Sequence, residues 1–157
     1  MPTIATFLWF HDRAIEAARF YISVFQRANV PCELHSRDAE VVRDGAPMSA
    51  SFSLRGQEFI AFNGGPHFAL TPAASVFVDC DTQDEVDYFW NALIDGGEPS
   101  RCGWLKDKFG LSWQVVPKAL PKMLADPDRA RADRVLQAML KMHKLELAEL
   151  RCAFDGE

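Results

Sequence analysis

No CxxC pair occurs in this chain, and Cys32, Cys80, Cys102 and Cys152 lie too far apart for the tight spacings that zinc sites use. They read as reduced and mostly buried thiols. No apolar run reaches the ~18 residues that a membrane-spanning helix needs, and the opening MPTIATFLWFHD lacks the basic flank and small-residue cleavage site of a secretory signal. No membrane partner is expected, and the default compartment is the cytoplasm. A basic stripe is also missing, since 17 Lys and Arg are scattered among 22 Asp and Glu for a net charge of −5. Nucleic-acid binding, which depends on concentrated positive charge, is therefore not expected.

What is present suits one well-filled domain. With 157 residues and 48% apolar content, the chain is long enough to bury roughly 68 to 70% of its unfolded surface without staples. Residues 4 to 10, IATFLWF, are apolar on both alternating faces, as expected of a central strand covered on one side and facing a cavity on the other. Asp12 can cap a helix running to about Phe25, with Ile15, Ala18, Ile22 and Phe25 inward. Strands are expected at about 29 to 36, 47 to 55 and 57 to 63. In the middle one, Met48, Ala50, Phe52 and Leu54 should pack, while Ser49, Ser51, Ser53 and Arg55 face water or a polar pocket. Gly56 and Gln57 suggest a tight hairpin connection, and NGGP at 63 to 66 a terminating turn.

The order then restarts. A strand at 74 to 80 is followed by Asp81 or Thr82 as a cap and a helix to about Ile94 that buries Val86, Phe89 or Trp90, and Leu93. Gly96 and Gly97 end it, and short strands lead to LSWQVVP at 111 to 117. Laying TFLWFHDRAIEAARFY over SVFVDCDTQDEVDYFW matches strand, cap and aromatic pair at an offset of about 70, a weak internal repeat. Beyond Lys118 the chain turns helical: PKMLADP, then about 128 to 143 with Val135, Leu136, Met139, Leu140 and Met142 inward, then a last turn from about 145 to 152. This tail must pack on the domain or on a partner subunit.

Read together, these segments give an α+β fold of paired βαβββ modules, at about 3 to 66 and 73 to 117, forming one domain over 1 to 117 with a helical extension over 118 to 157. The chain resembles the vicinal-oxygen-chelate superfamily of glyoxalases, bleomycin-resistance proteins and extradiol dioxygenases over about residues 3 to 117. Within it, the chain is most similar to the PhnB-like group, labelled 3-demethylubiquinone-9 3-methyltransferase. LWF at 8 to 10, AARFY at 17 to 21, FIAFNGGPHF at 59 to 68, FVDCDTQDEVDYFW at 77 to 90, GGEPSRCGWLKDKFGLSWQVVP at 96 to 117 and LQAMLKMHKLELAEL at 136 to 150 carry the likeness.

The resemblance implies where a metal would be held. The first-strand ligand positions fall on Ala5 or Thr6 and on Ala74 or Ser75, none of them usable. DKFGLSWQ matches the superfamily's turn and last strand, with Gln114 where a glutamate would stand. An amide brings no charge to offset the ion's lost hydration. In the first half FIAFN offers Asn63 and no acid after Glu58. No metal and no cofactor are expected. AdoMet-dependent methyltransferases usually bind on a parallel αβα sheet with a glycine-rich first loop, and NGGP reads as a turn, so the methyltransferase label is taken as a family name.

Four residues are candidates for the site. His67 is an acid, base or donor at the cleft mouth, or a loop histidine capping backbone. Asn63 and Gln114 could hold a ligand oxygen or amide, or satisfy buried backbone. Trp104 is the best aromatic wall, ahead of Trp9, Trp113 and Phe7, whose strand spacing also suits core. Cys102 beside Arg101 could be an activated thiol or an inert small residue, and Asp107 should cap the turn before Gly110. The expected function is metal-independent binding of a small organic molecule by a homodimer. Alternatives are an isomerase, lyase or transferase using His67 with Gln114, a metal-dependent glyoxalase or dioxygenase, and drug sequestration.

Overall fold

The computed structural model describes residues 1 to 35 and 42 to 157, and its contacts group the chain into two compact units, Met1–Leu70 and Thr71–Glu157. The first unit contains β1 (Thr6–Phe10), α1 (Ala14–Arg27), β2 (Cys32–His35), a short hairpin of β3 (Val42–Arg43) and β4 (Ala46–Pro47), β5 (Ser49–Leu54) and β6 (Gln57–Asn63). Its four-stranded sheet runs β1-β6-β5-β2, with β1 and β6 parallel and the other pairs antiparallel. Ser36, the expected last residue of the second strand, lies outside the described residues.

Alternation decides which side of this sheet is covered. Leu8, Phe10, Ala50, Phe52, Phe59 and Ala61 are buried toward α1, whose own buried residues include Ala14, Ala17, Ala18, Tyr21, Ile22 and Phe25. Tyr21 and Phe52 stand 6.1 Å apart, and Phe52 stacks on Phe59 at 5.1 Å. The buried stripe of α1 is rotated from the expected one: small alanines sit against the sheet, and Ile15 is only half-buried. The β5–β6 connection is also one residue earlier than expected. Leu54 pairs with Gln57, and Arg55 and Gly56 both take positive φ, the pattern of a two-residue hairpin turn.

Asp12 does not cap α1. The N-cap is Arg13, which makes no capping bond of its own, and the Ala14 N–H is received by the Asn63 side-chain oxygen at 2.7 Å. Parallel pairing explains this, because Phe10 at the end of β1 is aligned with Asn63 at the end of β6. The next residue, Gly64, has no room for a side chain, since a Cβ there would lie 2.0 Å from the Trp9 indole. That indole in turn donates to the Gly65 carbonyl at 3.0 Å. The NGGP turn is thus built to cap a helix and seat a tryptophan.

The second unit repeats the plan with β7 (Ser75–Cys80), α2 (Gln83–Ile94), β8 (Glu98–Pro99), β9 (Trp104–Lys106) and β10 (Ser112–Pro117) in the order β7-β10-β9-β8, with β7 and β10 parallel. Thr82, not Asp81, caps α2 by accepting from the Glu85 N–H at 3.2 Å, and Glu85 accepts from the Asp81 N–H. Phe89 and Trp90 are both buried. Asp107 is buried where β9 turns toward β10. It accepts from the Phe109 and Leu111 N–H groups and from the Trp113 indole at 2.7 Å, so this carboxylate builds the turn before Gly110.

Three helices follow, α3 (Ala119–Leu124), α4 (Arg129–Met139) and α5 (Leu147–Asp155). Asp128 caps α4 through the Ala130 and Arg131 N–H groups. Val135, Met142, Leu145 and Leu150 form one buried cluster with Val116 and Leu120, so the tail packs on its own chain's second unit. Backbone bonds from Cys102 to Met142 and from Gly103 to His143 fasten it, as does the Lys144–Asp87 ion pair. The expected inward stripe needs correction: Leu136 and Leu140 are 36% and 47% exposed. Helical spacing turns these two away from the side that carries Val135 and Met139.

Candidate functional site

Each four-stranded sheet has one face covered by its own unit's first helix and one face that this helix leaves uncovered. In the second unit Trp113, Val115 and Leu105 are buried, so alternation puts Ser75, Phe77, Trp104, Ser112 and Gln114 on the face opposite α2, together with Asp79, Lys106 and, where the tail helices cover its end, Val116. Gln114 is paired across the ladder with Trp104 on one side and Phe77 on the other. Its side-chain nitrogen donates to the Ser75 hydroxyl at 2.9 Å. Phe77 is 50% exposed, and Trp104 is half-buried. The structure thus brings Trp104 and Gln114 together, with Ser75 and Phe77 completing a patch of two aromatic rings and two neutral hydrogen-bonding groups.

Asn63 and His67 belong to the first unit. Asn63 turns to the covered side, where its oxygen caps α1. His67 is exposed beyond the NGGP turn, next to Phe68, whose ring meets Trp9 edge-on at 5.0 Å. Cys102 is half-buried with φ 58°, and its N–H bonds the Met142 carbonyl, which ties it to the tail. Burial, followed by the nearby Glu85, Asp79 and Asp81 carboxylates, pushes the Cys80 thiol up to about 12, so it stays protonated.

The helix-free face of the first sheet has a polar corner and an aromatic corner. Across the strands, His35 aligns with Ser51, Ser51 with Ile60 and Ile60 with Phe7; one step along, Glu33 aligns with Ser53 and Ser53 with Glu58. On the other flank Ser49 aligns with Phe62 and Phe62 with Trp9. Phe62 lies 5.5 Å from Phe7 and 5.4 Å from Trp9. The imidazole Nε2 of His35 lies 2.9 Å from Glu58 and its Nδ1 lies 4.0 Å from Glu33. Ser51 and Ser53 are buried between these strands. Sequence reading passed over His35 and Glu58 because they are 23 residues apart. Only the strand register, with Glu and His alternating on β2 opposite Glu58, brings them together.

The same registers test the metal positions that the fold implies. Ser75 and Gln114 would supply the second unit's ligands, and they are a hydroxyl and an amide engaged with each other. Pairing Phe7 with Ile60, as Phe77 pairs with Gln114, makes Ile60 and not Asn63 the counterpart of Gln114. An isoleucine there and Ala5 before β1 cannot coordinate a cation, so these residues do not fit a divalent metal. Among the described residues no group of three His, Cys, Asp or Glu side chains could hold one.

Comparison with known proteins agrees with this architecture. The model of a family described as 3-demethylubiquinone-9 3-methyltransferase matches residues 2–116. A solved Bacillus cereus PhnB protein carrying the same methyltransferase label is 33% identical, with a TM-score of 0.62 over 74% of this chain and 99% of that one. PA1353 from Pseudomonas aeruginosa is 20% identical, with a TM-score of 0.61 over 75% and 98% of the two chains. A glyoxalase/bleomycin resistance protein from Albidiferax ferrireducens T118 is more distant, at 15% identity and a TM-score of 0.46 over 71% and 94%. No curated protein matches.

Proposed function

We propose, from the premise that this chain belongs to the 3-demethylubiquinone-9 3-methyltransferase family, that it binds a small organic molecule without a metal. One observation carries the reading: the positions that would ligate an ion in the second unit are the neutral pair Ser75 and Gln114, flanked by Trp104 and the exposed Phe77. Neutral donors and acceptors between aromatic rings suit a flat or apolar ligand carrying an oxygen or amide. The Gln114 carbonyl and its second N–H are the groups that would read it.

The methyltransferase label finds no support in the NGGP turn. Asn63 caps α1 there, and Gly64 lies against Trp9, so the turn offers no cradle for a nucleoside. His67, exposed beside Phe68, belongs to the first unit and carries no part of this reading. The protein is proposed to act as a homodimer: Leu136 on α4 and Leu140 at its C-cap are both exposed and one helical turn apart. A cytoplasmic setting fits four free thiols, and among the described residues no helix is long and apolar enough to cross a membrane.

The test is native mass spectrometry of protein purified without chelators. A dimer carrying a small organic mass, lost in Gln114→Leu, is the expected result. One divalent ion per subunit, or a bare monomer, would refute the reading.

A further inference from the structure

The polar corner of the first sheet is a second recognition element that the reading above does not use. His35 has a carboxylate at each ring nitrogen, Glu58 at 2.9 Å and Glu33 at 4.0 Å. The two acids engage different nitrogens and do not converge on one point. Counting charges, the corner carries two negatives if the imidazole is neutral and one if it is protonated. No Lys or Arg occurs in β1, β2, β5 or β6 to offset them. The two acids themselves repel an anion in either state and attract a hydrogen-bond donor bearing positive charge.

The corner adjoins an apolar floor. Ile60 and Phe62 lie on β6 beside it, and Phe7, 56% exposed, and Trp9 continue the floor on β1. Neighbouring strands are about 4.8 Å apart, so β2 to β1 spans about 14 Å. That is room for one or two fused rings joined by a short link to a polar head.

We infer that the helix-free face of the first sheet binds an aromatic amine, its ammonium bonded to Glu58 and attracted at longer range by Glu33, and its ring lying on Phe7, Phe62 and Trp9. The inference rests on the metal-free binding reading and names the ligand's chemistry at the face that reading leaves open. The polar head would be held by charge-assisted hydrogen bonds, the strong class. The aromatic body would be recognised by area alone, so truncating the floor weakens ligands of any charge.

Three matched probes test it by isothermal titration: naphthylmethylamine, naphthylmethanol and naphthoate. The amine is expected to bind about tenfold or more tightly than the carboxylate, the alcohol falling between. Glu58→Gln together with Glu33→Gln should abolish that order, while Phe7→Ala weakens all three alike. Because Glu33 is exposed, Glu33→Gln alone keeps the test open if the double variant folds poorly, and it should still narrow the amine's advantage. Equal affinity of amine and carboxylate, an amine preference surviving removal of both acids, or no binding of any probe would overturn the inference. None of these results would remove a ligand found by native mass at Gln114, so the two readings fail separately.

Discussion

Replacing Asn63 separates a structural role from a binding role. Its oxygen receives the Ala14 N–H at 2.7 Å in a partly buried setting, although 49 residues separate the two in sequence. Asn63→Ala removes that acceptor and leaves one of the helix's orphan donors unmet, at a cost of about 0.5–2 kcal/mol. For a chain of this length that corresponds to a fall in Tm of roughly 1–8 °C, at about 2–4 °C per kcal/mol. Asn63→Asp keeps an acceptor in place and adds negative charge at the positive end of α1, so its stability should equal or exceed that of the native protein. Urea unfolding followed by tryptophan fluorescence, with a thermal melt by circular dichroism, measures both variants. Identical midpoints for Asn63→Ala and the native protein, or a loss in Asn63→Asp as large as in Asn63→Ala, would refute the capping role.

Two further outcomes concern the tail. The hydrogen bond from Lys144, then that from Gln83, holds the Asp87 carboxyl below its usual range, and the bond to Asp87 raises the Lys144 ammonium. Asp87 therefore contributes stability above about pH 4, lost as pH falls through its lowered value; Lys144 contributes below about pH 10, lost as pH rises through its raised one. Both side chains are partly exposed, so Lys144→Met should cost no more than about 1 kcal/mol at pH 7 in urea midpoints and have less effect at pH 2. A larger loss at pH 2 than at pH 7 would contradict this. Separately, Leu136→Lys with Leu140→Lys should leave the fold intact, because both side chains are exposed, and should shift the light-scattering mass of the proposed dimer toward that of a monomer. An unchanged dimer mass would remove α4 from the interface.

Much of the fold was legible because alternation and caps are local signals. The period of two in SFSL located β5, Asp107 was recognisable from its place in DKFG, and the repeat at an offset of about 70 anticipated the strand, helix and strands that recur in the second unit. Position on the site was harder, because it depends on register. Asn63 and Ile60 share one short strand, and only pairing with β1 shows that Ile60 lies on the helix-free face while Asn63 turns to α1. Asp12 looked like a cap by proximity, but a residue brought by parallel pairing supplies the bond instead. On α4 a run of apolar residues hid which ones face inward, since Val135 and Leu136 are adjacent yet one is buried and the other exposed. The His35–Glu58 pair left no trace in spacing, because it forms across strands.

Metal-free recognition stands or falls on a titration with manganese. At the ligand positions the structure has Ser75 with Gln114 in one sheet, and Ile60 in the other with Ala5 just before β1. Manganese added to the purified protein, followed by calorimetry and by the metal's paramagnetic resonance, should show no stoichiometric site. One ion bound per subunit at micromolar affinity would contradict the claim and return the chain to metal-dependent chemistry.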